Sequence, residues 1–588
     1  MTARRIERLP AELVNQIAAG EVVERPASVV KELVENALDA GARTVRVELL
    51  AGGKTLVRVS DDGHGMNRED AQLALERHAT SKLRRLADLQ SLATHGFRGE
   101  ALPAIASVSH LVLRTGDDGP AGTEIAVRDG RLLHVRDAGH PRGTLVEVRD
   151  LFGGVPARRK FLRADTTEAG HAAEALTLLA LARPQTGFVM TSGGRPLVQA
   201  PPVASLAERV YQIFGAQYLG DLVEVDGGVD WAHVRGFVSR PERTAVARPA
   251  LRLFVNGRAI RDRALAKAVA EAYRAAGARE MRGEVLLFLE APPHLVDVNV
   301  HPAKAEVRFA DPRTAWAAVD RAVREALSAG ARVRAPLADT SRIAAAVEPF
   351  LQAAVPQVAE KAPGGDFAAR GAAEPIVRAP RSTDAPALLA GAPPTVLGQH
   401  RNTYVVASDG EELLLVDQHT AHERVRFEAL MAQAATRRVE SQLLLAAVVF
   451  PPAPALRSVL EASLAELGLL GYEVEPFGGG CVRLRAVPAV LPSGDPVRAL
   501  EAILRDLLER EATEWLRSDL RSRVAATVAC HSAVRAGAPL AAEAMTAIVR
   551  DLARAEHPSL CPHGRPTLVR IPRSDLARWF GRTGWGRQ

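Results

Sequence analysis

Residues 28–39 read Ser28-Val-Val-Lys-Glu-Leu-Val-Glu-Asn-Ala-Leu-Asp39, and this stretch decides the fold of the first part of the chain. Its apolar residues recur with the period of an α-helix and Ser28 is a suitable N-cap, so a helix is predicted over 28–39. Glu32 and Asn36 lie one turn apart at the edge of the apolar arc. An amide oxygen suits a hard cation such as Mg²⁺, and a carboxylate can orient and deprotonate a water. The alternative is an ordinary amphipathic helix with polar edge residues.

A strand that ends in a carboxylate follows this helix. The alternation over 55–61 places Asp61 on the same face as two apolar valines, so the carboxylate points inward. A buried carboxylate needs donors, and an adenine amino group is one suitable donor. Asp61-x-Gly63-x-Gly65 then opens a turn whose glycines allow the backbone to approach a ligand closely.

The sequence contains no Gly-x-x-x-x-Gly-Lys-Ser/Thr phosphate-binding loop. A different segment is the candidate for binding phosphate groups. Residues 96–99 (Gly-Phe-Arg-Gly) form a glycine-rich turn that leads into a helix, and free amides at such a turn bind anions. Residues 78–82 (His-Ala-Thr-Ser-Lys) precede this turn, and residues 143–144 (Gly-Thr) begin another strand pattern.

The composition excludes fibrous and wholly disordered chains. The 588 residues include 75 Lys or Arg and 69 Asp or Glu, for a net charge of +6, and 47% are hydrophobic. This length predicts three or four domains. The three cysteines are too few for a disulfide framework, and no leader or long apolar window occurs, so a soluble cytoplasmic protein is predicted. Only seven of the basic residues are lysines. Retained lysines such as Lys31, Lys82 and Lys304 therefore suggest a need for a compact ammonium.

The chain divides at a segment rich in proline and alanine. Residues 335–394 contain 9 Pro and 18 Ala and predict a linker. Before it, strand patterns at 44–50 and 55–61 alternate with helical patterns at 28–39 and 68–77, which indicates an α+β or α/β layer. Residues 156–163 form a short basic run, which either contacts nucleic acid or is a solvated surface.

The C-terminal part carries a second group of candidate ligands. A strand over 412–416 ends at Asp417, and a helix that starts near His419 would place His419 and Glu423 on one face, a partial metal site. Glu428 lies on another face and is expected to support the fold. Two of the three cysteines, Cys530 and Cys561, occur with His563 far along the chain. Each Cys-and-His pair is incidental by itself, but the combination indicates a metal site.

Together the N-terminal motifs resemble the ATP-binding elements of the superfamily of gyrase, Hsp90, histidine kinases and MutL. A closer resemblance, on residues 13–41 and 96–102, is to the MutL family of DNA mismatch-repair proteins, and it extends through 297–309 into the C-terminal part. It implies an α+β fold class. The implied domains are a two-lobed ATPase, with a Bergerat-type α/β sandwich at 1–205 and a ribosomal protein S5-like lobe at 206–334, a disordered linker at 335–394, and an α/β dimerisation and endonuclease domain at 395–588.

The resemblance implies roles for single residues. Glu32 would be the general base, Asn36 the Mg²⁺ ligand and Asp61 the adenine contact. Residues 78–82 would lie in a lid over ATP, and Lys304 would reach the γ-phosphate from the second lobe. The residues expected to bind ATP and its Mg²⁺ are Asn36, Asp61, Gly63, Gly65, Thr80, Ser81, Lys82, Gly96, Phe97, Arg98, Gly99, Thr144 and Lys304. One departure is Gly154, where the family usually has Asn, and it affects a local turn.

The C-terminal motifs resemble the branch of the MutL family that has endonuclease activity. Thr420 and His531 stand where that branch has Ala and Arg, whereas 561–566 and 580–582 fit. The resemblance implies a Zn²⁺ or Mn²⁺ pair that activates water against a phosphodiester, with Asp417 and Glu423 as catalytic residues. The expected metal ligands are Asp417, His419, Glu423, Cys530, Cys561 and His563. His531 would alter basicity or add a ligand.

The implied partners are DNA, a second copy of the chain, the mismatch sensor MutS and the replication sliding clamp, in the bacterial cytoplasm at the nucleoid. Residues 442–447 (Gln-Leu-Leu-Leu-Ala-Ala) are a degenerate clamp-binding peptide or an ordinary hydrophobic strand. One alternative function is an ATP-gated adaptor with a structural zinc site. Another is a chaperone or topoisomerase subunit, which the linker and the small metal-binding domain disfavour.

Overall fold

The computed structural model describes residues 22–82, 99–119, 121–240, 250–276, 284–297, 307–329, 394–436, 439–491, 494–509, 519–534 and 537–580. The predicted linker lies outside these ranges apart from Pro394. Gly96, Phe97, Arg98 and Lys304 also lie outside them. In the part of the chain that is described, no helix is long and apolar enough to cross a membrane.

An eight-stranded sheet forms the centre of the first lobe. Its strands are β1 (Thr44–Leu50), β2 (Leu56–Asp61), β3 (His110–Gly116), β4 (Gly122–Arg128), β5 (Arg131–Ala138), β6 (Gly143–Arg149), β7 (Gly187–Ser192) and β8 (Arg195–Ala200). They lie in the order β5-β4-β3-β6-β2-β1-β7-β8. All neighbours are antiparallel except β1 and β7, which run parallel.

The helices of this lobe are α1 (Pro26–Asp39), α2 (Arg68–Leu73), α3 (Ala101–Ala106), α4 (Pro156–Arg159), α5 (Asp165–Ala182) and α6 (Leu206–Gly220). The prediction that Ser28 caps α1 is wrong. The N-cap is Arg25, and α1 begins at Pro26, whose fixed φ and missing N–H suit the first helical position. The helix predicted over 68–77 ends at Leu73. The Ala74 N–H still bonds to a carbonyl four residues back, but the N–H groups of Leu75 and Glu76 bond to carbonyls three residues back.

Helix α1 is covered on two sides. It packs against β2 of the sheet and against α5, so its buried surface is wider than the apolar arc of the sequence. Glu35 shows this, since it lies outside that arc and is only 2% exposed. Its carboxylate lies 3.9 Å from the Lys31 ammonium. The edge that carries Glu32 and Asn36 stays partly accessible.

The second lobe has its own hydrophobic core. Its elements are β9 (Leu222–Val229), β10 (Ala232–Ser239), β11 (Leu251–Val255), β12 (Arg258–Ile260), α7 (Arg263–Ala275), β13 (Val285–Glu290), β14 (Val296–Asp297), β15 (Arg308–Phe309) and α8 (Pro312–Ala329). Five strands form a sheet in the order β12-β11-β13-β10-β9, and α8 packs on β9 and β10. The buried residues of α6 belong to the first core.

The C-terminal part consists of two packed units. Its elements are β16 (Thr395–His400), β17 (Tyr404–Ser408), β18 (Glu412–Asp417), α9 (Gln418–Thr436), β19 (Ser441–Phe450), α10 (Pro454–Leu469), β20 (Glu473–Gly478), β21 (Cys481–Pro488), α11 (Pro496–Glu509), α12 (Leu520–Ser532), α13 (Ala542–Ala553), β22 (Leu568–Pro572) and α14 (Arg573–Trp579). One sheet has the order β16-β17-β18-β22 and the other the order β19-β21-β20. The predicted α+β class is therefore confirmed for the residues that the structure describes.

Residues 442–447 lie in β19, at an edge of the smaller sheet. The pairing of β19 with β21 shifts register between Leu443 and Val448. Leu443 is 70% exposed and Leu445 is fully exposed. The segment is thus a strand. Its Leu444 packs against the C-terminal hydrophobic core, whereas Leu443 and Leu445 are exposed.

The C-terminal helices contact the first lobe. A Cβ on Gly170 of α5 would lie 2.6 Å from a methyl of Leu508 in α11, and the Ser458 hydroxyl of α10 donates to the Thr166 carbonyl. The Arg498 guanidinium lies 2.5 Å from the Asp221 carboxylate. Each side keeps a separate core, so this interface joins two independently packed bodies.

Candidate active sites

The accessible edge of α1 contacts the side-chain ammonium of Lys82. The Lys82 ammonium lies 3.1 Å from Asn36 Oδ1 and 2.5 Å from Asp39 Oδ2. The Lys82 side chain is 20% exposed and that of Asp39 is 6% exposed. Asn36 and Asp39 are one turn apart on the same helix face. An amide oxygen and a carboxylate that already attract an ammonium form a donor set that suits Mg²⁺.

Asp61 lies at the end of β2 and organises the glycine turn behind it. Its Oδ1 accepts the Gly63 N–H at 2.9 Å. Burial raises the pKa of Asp61 to about 6, although the N–H groups of Gly63 and Thr144 act to lower it. A Cβ on Gly63 would lie 2.9 Å from Ala40 and from this carboxylate. The turn therefore requires glycine there, and Asp61 is placed to accept from a bound amino group.

The strand at Gly143 closes the same turn from the other side. Gly65 has φ +68°, and a Cβ there would lie 1.8 Å from the Gly116 carbonyl. Thr115 is fully buried, and its hydroxyl accepts the Met66 N–H at 2.9 Å and lies 3.1 Å from the Thr144 hydroxyl. Thr115 thus joins the turn to the predicted contact residue Thr144.

Residues 78–82 are held against Gly99, the one residue of the predicted second glycine turn that the structure describes. The His78 N–H donates to the Gly99 carbonyl at 3.2 Å, and a Cβ on Gly99 would lie 2.4 Å from the Ala79 carbonyl. The Thr80 hydroxyl accepts the Lys82 N–H at 3.2 Å. Ser81 lies in the same bend. Of the residues predicted to bind ATP that the structure describes, Lys82 of the segment 78–82 and Asn36 of α1 are therefore in direct contact.

The C-terminal candidates converge from three distant segments. Ligand atoms of His419, Glu423 and Cys530 all lie within 4.8 Å of one another, and so do those of Glu423, Cys561 and His563. Glu423 belongs to both groups. Its Oε1 lies 3.3 Å from His419 Nε2 and its Oε2 lies 3.6 Å from His563 Nδ1. One carboxylate thus connects two sets of soft and borderline ligands, which fit Zn²⁺ or a similar transition metal.

Neighbouring groups shift the pKa values of this cluster and orient its side chains. Burial acts to raise the pKa of Glu423, but hydrogen bonds from His563 and Cys530 and the nearby His419 hold it at about 2. His419 Nδ1 lies 2.9 Å from the Val534 carbonyl, and this contact orients the ring so that Nε2 faces the cluster. Burial raises the pKa of the Cys561 thiol.

Asp417 has a different position from the other predicted ligands. Its Oδ1 accepts the N–H groups of His419 and Thr420 at 3.0 and 3.1 Å and so caps α9. Neither of the two ligand groups found among the described residues includes it. Asp417 therefore fixes the start of the helix that carries His419 and Glu423.

The departures in sequence have structural consequences. The Thr420 hydroxyl donates to the Pro566 carbonyl at 3.0 Å and ties α9 to the 561–566 turn. His531 lies with Nε2 3.0 Å from the Asp506 carboxylate of α11, away from both ligand groups. Glu428 accepts the N–H groups of Glu556 and His557, which is a structural contact. Gly154 faces the Asp129 carboxylate, which a Cβ would approach to 2.9 Å.

Two functional positions escaped the sequence analysis. Asp39 could have been found from its i, i+3 spacing to Asn36, a signal that was present in the helix pattern. Thr115 gave no such signal, since its partners Met66 and Thr144 are about 49 and 29 residues away along the chain.

Comparison with known proteins gives three family models. "Histidine kinase-, DNA gyrase B-, and HSP90-like ATPase" matches residues 24–126, "DNA mismatch repair protein, C-terminal domain" matches 210–328, and "MutL C terminal dimerisation domain" matches 397–540. The first of these contains α1 and the glycine turn at 61–65, and the last contains Asp417, His419, Glu423 and Cys530.

Whole-chain relatives agree with these models. The chain is 44% identical to the "DNA mismatch repair protein MutL" of Anaeromyxobacter sp. (strain K), over 98% of this chain and all of the relative. It is 41% identical to the protein of the same name from Geotalea daltonii, over 99% of this chain and all of that one. Among solved structures, the Aquifex aeolicus MutL ATPase domain complexed with ADP is 33% identical, with a TM-score of 0.36, over 46% of this chain and 94% of that chain.

The pKa of Asp61 predicts a pH dependence of stability. A folded-state pKa of about 6, above the ordinary value of 3.8, means that the folded lobe keeps a proton that the unfolded chain releases in this interval. As the pH rises from about 4 to about 6, the free energy of unfolding should therefore fall in wild type relative to Asp61→Asn, whose amide does not titrate. Denaturant unfolding at several pH values measures this difference. Parallel curves over that interval would contradict the assignment.

Proposed function

The chain belongs to the MutL family of DNA mismatch repair proteins and carries the ATPase domain and dimerisation domain of that family, and we propose that it couples ATP binding and hydrolysis to metal-dependent nicking of DNA. The observation that carries the nicking activity is the position of Glu423, whose two oxygens face two different ligand groups. Mismatch recognition by MutS would precede the incision.

The donor set favours a catalytic pair of metals in the C-terminal domain. A bound pair would polarise the phosphodiester and supply hydroxide at neutral pH. The residues that would hold the pair are His419, Glu423, Cys530, Cys561 and His563, with Glu423 common to both ligand groups. The side chains of His419 and His563 are 25% and 20% exposed, whereas that of Glu423 is 4% exposed. This open face leaves room for a substrate, which a closed structural zinc site would not need.

In the first lobe we assign the roles implied by the ATP-binding motifs. Asn36 would bind Mg²⁺, Asp61 would accept from the adenine amino group, and the turns at 63–65 and 96–99 would approach the phosphates. Glu32 would orient the attacking water and take its proton. Its position on the same accessible edge of α1 as Asn36 supports this assignment. Lys304 would reach the γ-phosphate from the second lobe.

Two exposed surfaces are suited to binding the proposed macromolecular partners. The run 156–163 presents Phe161, which is 87% exposed, among basic side chains, as suits contact with DNA phosphates and bases.

On the sheet β16-β17-β18-β22, one face packs on helices while Leu397, Tyr404 and Val569 are exposed. We assign this exposed apolar surface to the homodimer. The proteins would act on DNA in the bacterial cytoplasm, at the nucleoid.

The hydrolytic role of Glu32 predicts a specific loss. Glu32→Ala should lower ATP turnover at least about a hundredfold, because it removes the base that activates water. ATP should still bind, because the Mg²⁺ ligand and the glycine turns are unchanged. Phosphate release and binding of a fluorescent ATP analogue measure the two effects separately. An equal loss of binding would mean that Glu32 holds the site together and is not the base.

The shared carboxylate predicts a metal-dependent nuclease. The full chain should convert supercoiled plasmid to nicked circles with Mn²⁺ and not with EDTA, and Glu423→Gln should abolish nicking while ATP turnover persists. Glu428→Gln is the matched control, because Glu428 lies on the same helix but contacts backbone amides.

The outcome distinguishes nuclease from adaptor. Nicking that survives Glu423→Gln at the wild-type rate would refute the proposed site. If the wild type shows no nicking with Mn²⁺ or Mg²⁺ but retains tightly bound zinc, the protein is an ATP-gated adaptor with a structural zinc site.

The exposed leucines of β19 predict binding to the replication sliding clamp. Leu445→Asp should abolish this binding, because it replaces a fully exposed apolar anchor by a charge. Leu132→Asp is the control, since Leu132 is 61% exposed on β5, in another domain. Surface plasmon resonance with the clamp of the same organism measures the affinity, and equal affinities for the two variants would contradict the assignment.

A further inference from the structure

Lys82 occupies the cation position of the ATP site. Its ammonium contacts the Asn36 amide oxygen and the Asp39 carboxylate, two hard oxygen donors one turn apart on α1. Mg²⁺ seeks the same kind of donors, and a divalent cation and an ammonium repel each other at this distance. Both therefore cannot bind to Asn36 Oδ1 at once.

The backbone around Lys82 fixes its direction. The Thr80 hydroxyl accepts the Lys82 N–H, and the His78 N–H donates to the Gly99 carbonyl. Gly99 leaves no space for a side chain beside Ala79. The segment 78–82 is thus attached at one end to the glycine turn and at the other, through the ammonium, to α1.

We propose that Lys82 is a latch that holds the Mg²⁺ position of the nucleotide-free site, that Asp39 positions it, and that the incoming Mg²⁺ releases it. This proposal rests on the assignment of Asn36 as the Mg²⁺ ligand. Displacement of the ammonium frees both the lysine and the segment 78–82. The lid is then able to move once the metal has arrived, so metal binding and lid movement are coupled.

The residue types agree with this role. Only seven of the 75 basic residues of the chain are lysines, and one of them stands here. An ammonium is a compact point charge that fits between an amide oxygen and a carboxylate, whereas a guanidinium presents a planar fork. The Asp39 side chain is nearly buried, so it needs a cation partner in both states of the latch.

The test compares the full-length Lys82→Met with Lys31→Met. Lys31 lies on the same helix about two turns before Asp39, and its ammonium is 3.9 Å from the Glu35 carboxylate. The affinity for a fluorescent ADP analogue is first measured in EDTA. Any loss of affinity in Lys82→Met without Mg²⁺ reports a direct contact of Lys82 with the phosphates. Mg²⁺ is then titrated at saturating analogue. The Mg²⁺ concentration for half-saturation should fall roughly fivefold or more in Lys82→Met, the low end of couplings between two sites, and stay unchanged in Lys31→Met.

Hydrogen exchange of the nucleotide-free protein gives an independent readout. Amides of residues 78–82 should exchange faster in Lys82→Met and in Asp39→Asn than in wild type, because the latch is lost while the rest of the helix remains. An unchanged or higher Mg²⁺ requirement in Lys82→Met, or unchanged exchange in both variants, overturns the proposal. If wild type binds no analogue at all, the ATP assignment itself fails, while the exchange measurement still decides whether the latch exists.

Discussion

Carboxylate oxygens that are withdrawn from water must be met by cations or N–H groups, and this requirement shapes both candidate sites. Asp39 is met by the Lys82 ammonium, and Glu423 by two histidines and a thiol. Removing one member of such a buried pair typically costs about 3–5 kcal/mol. A ligand that enters either site therefore has to replace the partner that it displaces, and a metal ion does so by supplying positive charge.

The scaffold keeps these oxygens in place through burial on several sides. Helix α1 is covered by the sheet and by α5, which buries even Glu35 and leaves one edge for Glu32, Asn36 and Asp39. In the C-terminal domain the N-cap at Asp417 and the Thr420 hydroxyl fix the start of α9. Rigid helices thus hold the side chains that would otherwise need ordering when a ligand binds.

Contacts between the domains bring the two halves into one body. They consist of close packing at Gly170, a hydrogen bond from Ser458 and the Arg498–Asp221 ion pair. Each side of these contacts has its own hydrophobic core. Through this interface α10 and α11 of the C-terminal part pack against α5 of the first lobe.

The sequence by itself determined the elements and the residue types of both sites. The period of α1, the strand that ends at Asp61 and the helix face shared by His419 and Glu423 are local features, set by chemistry within a few residues. Tertiary structure decided what lies beside them. It brought Cys530 and Cys561 beside Glu423, turned His531 toward Asp506 and placed Thr115 against Met66. Such contacts join segments far apart in the chain, and their partners depend on packing that no local pattern encodes.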